Sequence, residues 1–505
     1  MTQSIPSPRA GREWGWWIAA LALFLPRLLH LGGPLDDPHS WRQCDTAFYS
    51  LDFSRRGFDL LHPSVCWLGA HRTLIFEFPL PEAISGLLDR LFGRSETWDR
   101  LVGLGFFALA TLYLHLFVRR IASPRAAWLA TLAWLALPLG QFYSRAAHVD
   151  FAATAGAHAL LYHGAVAARE KRWSHAVAAG AWGAIAAMIK APYLLPLLGP
   201  LGLLALSASG ALGFALLAGA LLVTVVAFKL WRTHVDAVNA AAPDWYFLPG
   251  YYKEVNPLWW YFGEWSQRLD RASWARVVRR LLTEVATPPG VLLAFAAPLA
   301  PLARAPGYRA GLRAFAFAWC AGTLLYLLVF FPLNVIHNYY QIAFLAPAAL
   351  LIALGAEAML ERARPVALLV TALFVIVALV SPGRLGYYRV DWLRVQAGRL
   401  MDARLPKGAL VIACDHASGY SDPRLLYRAD RLGWSLAIPD LTPGRIDTLC
   451  TLGATRLAIV TSPEHPEFHA PAFARPWRSD SLAIEHGGRR IGTLELYDLE
   501  RRASP

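Results

Sequence analysis

The side chains able to do chemistry in this 505-residue chain are few and stand out against a background that is 56% hydrophobic and 16% charged. The first is Asp45, in the stretch HSWRQCDTAFYS (39–50), with His39, Trp41, Arg42, Gln43 and Tyr49 around it. A carboxylate crowded by hydrogen-bonding and aromatic groups is a candidate general base. The alternative is a helix cap in a wet loop, which needs no further purpose. The second is Lys190, in AAMIKAPYLLP, one of few lysines among 48 basic residues. An ionisable group inside an apolar run costs roughly 2.5 kcal/mol or more at a bilayer centre and is a functional candidate by default. The alternative is a lysine snorkelling from a helix end. Two further groups are YSRAAHVD (143–150), with Arg145, His148 and Asp150, and NVIHNYYQ (334–341), with His337, Asn338, Tyr339 and Tyr340. Glu77, in FEFPLPEA, joins them.

These residues have to be positioned by membrane helices. Apolar runs long enough to cross a bilayer, about 20 residues each, recur near 14–32, 99–118, 126–143, 149–168, 174–190, 192–207, 211–231, 288–303, 314–332, 341–359 and 365–381. The fold class expected is a polytopic α-helical membrane protein of about eleven transmembrane helices (1–384) plus a small C-terminal α/β soluble domain (385–505). With Arg9 and Arg12 in the cytoplasm, the Arg-bearing loops 119–125, 169–173, 304–313 and 360–364 fall there too, as the positive-inside rule asks. The net charge of +13 then reports topology rather than nucleic-acid binding. Regions 33–98, 144–148, 232–287, 333–340 and the tail face outward. The N-terminal apolar run lacks a small-residue cleavage site and reads as an uncleaved first span.

In the first outer loop, Asp45 is placed to cap a helix over TAFYSLDFSRR that stops before Gly57, and PLPEAISGLLDRLFG reads as a second helix ending at Gly93. Both have the pattern of amphipathic juxtamembrane helices. The loop 232–287 is dense in Trp and Tyr, as headgroup-level segments are. In the tail, ALVIAC (409–414), RLAIVT (456–461) and LELYDL (494–499) read as strands, with helices near 391–404 and 443–452. No phosphate-binding glycine motif occurs there. Cys44 and Cys66 share the first loop, Cys414 and Cys450 the tail, and each pair is a disulfide candidate.

Taken in order, the first-loop Asp, F-P-L-P-E, R-x-x-x-x-D, I-K-A-P and H-N-Y-Y-Q-x-A-F-L-A-P resemble the lipid-dependent GT-C glycosyltransferases over about residues 14–360. The pattern is similar to that of the protein O-mannosyltransferases and the lipid A aminoarabinose transferases. The resemblance implies a sugar donor on polyprenyl phosphate, a lipid, glycan or protein acceptor, and reaction on the outer face of the bacterial inner (plasma) membrane among membrane lipids, with no nucleic-acid partner. Asp45 and Tyr49 match the family's D-E-x-x-Y stretch, where Thr46 replaces the Glu and Asp150 is the candidate second carboxylate. Pro79 and Leu80 match a P-L motif in which Glu77 and Phe78 stand in place of the usual preceding residues. Lys190 matches the lysine of K-G-P near the carrier phosphate, with Ala191 for Gly, and His337, Tyr339 and Tyr340 match a loop contacting that phosphate.

Glycosyl transfer needs a base for the acceptor hydroxyl and stabilisation of the departing phosphate. Asp45 is expected as the base. Lys190, with Arg145 or Arg42 and the Tyr339–Tyr340 loop, is expected to bind the phosphate. This requires Asp45 and Lys190 to share an extracytoplasmic cavity. No cofactor is called for. A divalent metal stays open, with Asp45, Asp150, Glu77, His148 and His337 as candidate ligands but no metal-binding spacing. The rival classes are a lipid-linked glycan ligase or polymerase, and a flippase without chemistry. A transporter is expected to show internal repeats, and none is visible.

Overall fold

The computed structural model describes residues 11–300 and 305–500; Arg9 and the side chain of Arg12 lie outside them. The first half of the chain is helical: α1 (Gly11–Phe24), α2 (Ser40–Arg56), α3 (Leu80–Phe92), α4 (Glu96–Ile121), α5 (Pro124–Ala136), α6 (Pro138–Tyr143), α7 (Asp150–Glu170), α8 (Trp173–Lys190), α9 (Leu198–Leu206) and α10 (Gly210–Ala240). Two compact units form, each discontinuous in sequence. One comprises residues 1–31, 100–232 and 260–387, the other 32–99, 233–259 and 388–505.

The first unit is a bundle of apolar helices. Among the described residues six stretches are long and apolar enough to span a bilayer, or seven if the pair Arg271–Val285 and Pro288–Leu299, bent by 92°, is one broken span. The expected eleven do not all appear as long helices. The run at 126–143 breaks where Leu137 meets Pro138, since the residue before a proline is pushed out of the helical region. The run at 14–32 leaves the α-helix before Pro26, and that at 288–303 is α-helical only to Phe295.

The 34-residue stretch Trp173–Leu206 would be about 51 Å long if straight, yet both its ends lie at the same end of α7. α8 starts immediately after α7. Lys190 Nζ then meets Asp150 Oδ1 at 2.8 Å, at the N-terminus of α7. By Ser207 the chain is back at the C-terminus of α7, where Arg169 donates to the Ser207 carbonyl (2.5 Å) and the Ser209 amide to Ala168 O (2.8 Å). The turn is a 3₁₀ segment, Ala191–Leu197, carrying Pro192 and Pro196. Lys190 therefore sits at the tip of a helical hairpin. At the other end of the bundle the Arg-rich loops meet: Arg120 pairs with Glu170, the Ala305 amide donates to Ile121 O (3.2 Å), and the Arg309 amide to Ser207 Oγ (3.3 Å).

The second unit is built on a five-stranded sheet, β1 (Leu410–Asp415), β2 (Leu432–Ala437), β3 (Arg456–Thr461), β4 (Arg478–His486) and β5 (Arg489–Asp498), in the order β2-β1-β3-β5-β4. β1 is parallel to β2 and β3, while β5 is antiparallel to β3 and β4. The loop before α3 is stitched to β2: the Gly433 amide donates to Cys66 O (2.9 Å) and the Gly69 amide to Gly433 O (2.8 Å). Gly69, at φ +52°, lies so close to the Trp434 ring that a Cβ would come within 2.3 Å of it. Two first-loop expectations are corrected here. α2 begins at Ser40, whose amide is capped by Asp37 Oδ1 (3.0 Å), so Asp45 lies in its second turn and caps nothing, because SWRQC continues the helix. α2 is also largely buried rather than lying on a surface, and packs against α3, where Gly86 leaves room for Ser50 O. α3 does expose Ile84, Leu87, Leu91 and Phe92 along one stripe. Gly57 (φ +107°) and Gly93 (φ +89°) end the two helices as expected. Neither the Cys44–Cys66 nor the Cys414–Cys450 pair forms a disulfide.

Candidate active site

In the first unit the hairpin tip brings Lys190 into a buried cluster. Asp150 is fully buried and holds Lys190 Nζ at 2.8 Å through Oδ1, pairs with His148 through Oδ2, and accepts from the Tyr193 hydroxyl. Above the ammonium lie the rings of Tyr340 and Tyr339, with centroids 4.6 and 4.8 Å away, a cation–π arrangement strengthened by burial. Tyr339 is also sandwiched between His337 (5.0 Å, stacked) and His148 (4.7 Å). Its neighbour is pinned by Tyr326, whose hydroxyl donates to Tyr340 O (2.9 Å). Arg145 is fully buried beside the Phe142 ring. Asn338 ties a second polar group together: it accepts from Tyr143 (2.6 Å) and donates to Glu284 Oε2 (2.6 Å), to which Tyr387 also donates (2.5 Å).

In the second unit Asp45 is 2% exposed. The indole Nε1 of Trp67 donates to its Oδ1 at 3.0 Å. Burial pushes the carboxyl up to about 7, against the opposing pull of the Arg42 charge and the indole hydrogen bond. Arg42 is already committed, pairing with Glu77 and lying over the Phe76 ring (4.8 Å). The Tyr49 hydroxyl donates to Leu74 O (2.6 Å) and accepts from the Phe76 amide (3.3 Å), fixing the loop that carries Glu77. An aromatic wall backs Trp67, with Tyr420 at 5.4 Å and Tyr252 at 6.4 Å. Glu82, on α3, is buried with an unpartnered Oε2, and burial lifts its carboxyl to about 8.

A family model described as dolichyl-phosphate-mannose-protein mannosyltransferase matches residues 77–235. The fold is similar to that of ArnT from Cupriavidus metallidurans bound to undecaprenyl phosphate, at a TM-score of 0.58 and 15% identity over 96% of this chain and 98% of that one. The fold is of the GT-C type. The mycobacterial arabinofuranosyltransferase AftD (0.57, 15% identity, 98% of this chain and 40% of that) has the same GT-C architecture. So has the archaeal oligosaccharyltransferase AglB of Archaeoglobus fulgidus, in complex with an inhibitory peptide and a dolichol-phosphate (0.50, 12%, 90% and 70%). Direct comparison with curated protein sequences finds no match. Its own long apolar helices make the chain a multi-pass membrane protein.

Within this GT-C framework the structure brings together Lys190, Asp150, His148, His337, Tyr339 and Tyr340, and separately Asp45, Arg42, Tyr49 and Glu77. The matched segment contains Glu77, Arg145, Asp150 and Lys190 but begins after Asp45. Sequence reasoning missed Trp67, Tyr193 and Glu284. Tyr193 was findable: three residues after Lys190 and beyond Pro192, it shares the same hairpin tip. Trp67 gave no signal, since nothing in SVCWLG announces a carboxylate partner. Among the described residues no three His, Cys, Asp or Glu lie close enough to hold a metal ion; Asp150 and His148 meet, but Glu77 is engaged by Arg42 instead.

Proposed function

We propose that the chain is a membrane glycosyltransferase that moves a sugar from a polyprenyl-phosphate donor to an acceptor hydroxyl on the extracytoplasmic face. The observation that carries this reading is the Lys190 cluster: a buried ammonium at the tip of a membrane hairpin, roofed by Tyr339 and Tyr340, on the fold of ArnT bound to undecaprenyl phosphate. His148 and His337 add donors or charge beside it, Arg145 lies in the same turn as His148, and one carboxylate, Asp150, serves both Lys190 and His148. A phosphate leaving group completes that balance. Asp150 is a positioning residue, because both its oxygens are taken. The Arg-rich loops at the opposite end support the outward assignment of this one.

Asp45 is the general base. At about 7 its carboxyl is partly ionised at neutral pH, where a base is most effective. The acceptor oxygen attacks the anomeric carbon as its proton passes to Asp45, the bond from that carbon to the phosphate oxygen breaks, and the electron pair leaves with the polyprenyl phosphate. A single displacement inverts the anomeric carbon. Arg42, Tyr49 and Glu77 hold the loop beside the base.

The test uses purified protein in proteoliposomes with a radiolabelled polyprenyl-phosphate sugar. Asp45→Asn is expected to lower transfer by about 10²-fold or more while donor binding persists; transfer at the wild-type rate removes the base assignment. Lys190→Ala is expected to raise the donor KM more than the acceptor KM, and an unaltered donor dependence removes the phosphate role.

A further inference from the structure

A cavity of about 300 Å³ opens in the second unit between α2 and the leading ends of β1 and β2. Its floor is apolar, made by Phe48, Leu51, Leu410 and Leu432, and its rim is basic, carrying Arg55, Arg56, Arg72 and Lys407. The charges around it do not balance. Asp430 is shared by Arg55 (2.6 Å), Arg94 (3.9 Å) and Lys407 (4.0 Å), and Asp52 by Arg56 (3.3 Å) and Arg72 (3.8 Å). Asp402 is shared by Lys407 (2.6 Å) and the fully buried Arg431 (2.8 Å). Of the charged side chains that line the cavity, five are cations (Arg55, Arg56, Arg72, Lys407 and Arg431) and two are carboxylates (Asp52 and Asp430), an excess of three positive charges. Repulsion shows at Arg72, which burial and then the Arg56 charge hold below the usual arginine range. Like charges held side by side are relieved by an anion between them. The apolar floor also asks for a ring or chain carrying that anion, since an aqueous ion alone gains nothing from it.

The pocket shares a face of α2 with Asp45. Asp45, Asp52 and Arg56 follow at spacings of seven and four residues, one stripe of an α-helix, with about 10 Å along the axis between the first two. The Arg–carboxylate pairs on the rim are half-exposed, so each contributes little to stability on its own, and a fold-stabilising role does not account for the excess.

We infer that this cavity is a binding site for a compact dianionic group of the phosphate-ester class, built from residues different from those of the Lys190 cluster. The ester comes either from a lipid headgroup or from a soluble or glycan phosphate. The test is titration of the full-length protein in neutral detergent with inorganic pyrophosphate. Arg56→Gln combined with Arg72→Gln is expected to weaken binding at least tenfold with an unchanged melting temperature, while Lys190→Ala leaves that component intact and removes only the part that belongs to the carrier-phosphate reading. Lys407→Gln, at a side chain 69% exposed, is expected to weaken it several-fold without any folding question. Wild-type affinity in both the double variant and Lys407→Gln overturns the inference, whatever Lys190→Ala does. Nanodiscs separate the two sources: phosphatidic acid, whose headgroup is a phosphomonoester, suppresses pyrophosphate binding relative to phosphatidylcholine if the pocket takes headgroups, and has no such effect if it takes a soluble or glycan ester.

Discussion

Two buried aspartates, Asp150 and Asp45, are treated in opposite ways by their surroundings. Asp150 has a lysine, a histidine and a tyrosine hydroxyl on its two oxygens. Asp45 has one indole donor, and its nearest arginine has been taken by Glu77. The first arrangement fixes a charge in place; the second leaves a carboxyl balanced between its two protonation states near neutral pH. Burial alone therefore does not mark a functional carboxylate. What its neighbours have already spent their hydrogen bonds on does.

The largest separation between the two should come from neutralising each. Asp150→Asn leaves Lys190 and His148 buried without a counter-ion and should lower stability by about 3–5 kcal/mol, read as a fall in melting temperature. Asp45→Asn should not. In the wild type the fold holds a proton on Asp45 that the unfolded chain releases above pH about 4, so the stability from the neutral form is present at low pH and is lost as pH rises through about 7. Melting curves at pH 5 and pH 8 should thus show Asp45→Asn gaining on the wild type at the higher pH, and a parallel pair of curves would refute the assignment. Trp67→Phe sharpens the contrast further. Without the indole the ionised form loses a hydrogen bond, and the rising limb of kcat/KM should move up by about one pH unit, near 1.4 kcal/mol. The smallest effect is expected at Tyr49→Phe, about 1 kcal/mol of stability from a lost hydrogen bond to Leu74 O, with the position of the pH limb unmoved.

How far these sites could be read from sequence differs between them for a physical reason. Lys190 closes an apolar run, where an ionisable residue announces itself, while His148, Asp150, Tyr339 and Tyr340 stood out as polar clusters at the turns between apolar runs. Asp45 was found as a residue but misplaced within its helix: SWRQC lacks the apolar periodicity that marks a helix turn, and the cap came from Asp37. Trp67 and Glu284 depend on contacts between distant segments, which no local pattern encodes. In the tail, ALVIAC and RLAIVT stood out as apolar runs, and LELYDL as a strand alternating apolar and polar residues. β2, with Gly433 and Ser435 breaking LGWSLA, and β4, which is exposed along much of its length, did not.

The pair of main-chain hydrogen bonds joining Cys66 and Gly69 to Gly433 carries a consequence for how such proteins diversify. An edge strand stapled to a loop more than 360 positions earlier cannot be exchanged alone. Residues 388–505 of this chain grafted onto a relative meet a mismatched seam unless the segment carrying Gly69 travels with them, because any side chain at that position collides with the indole of Trp434. The two pieces therefore have to be moved as a set.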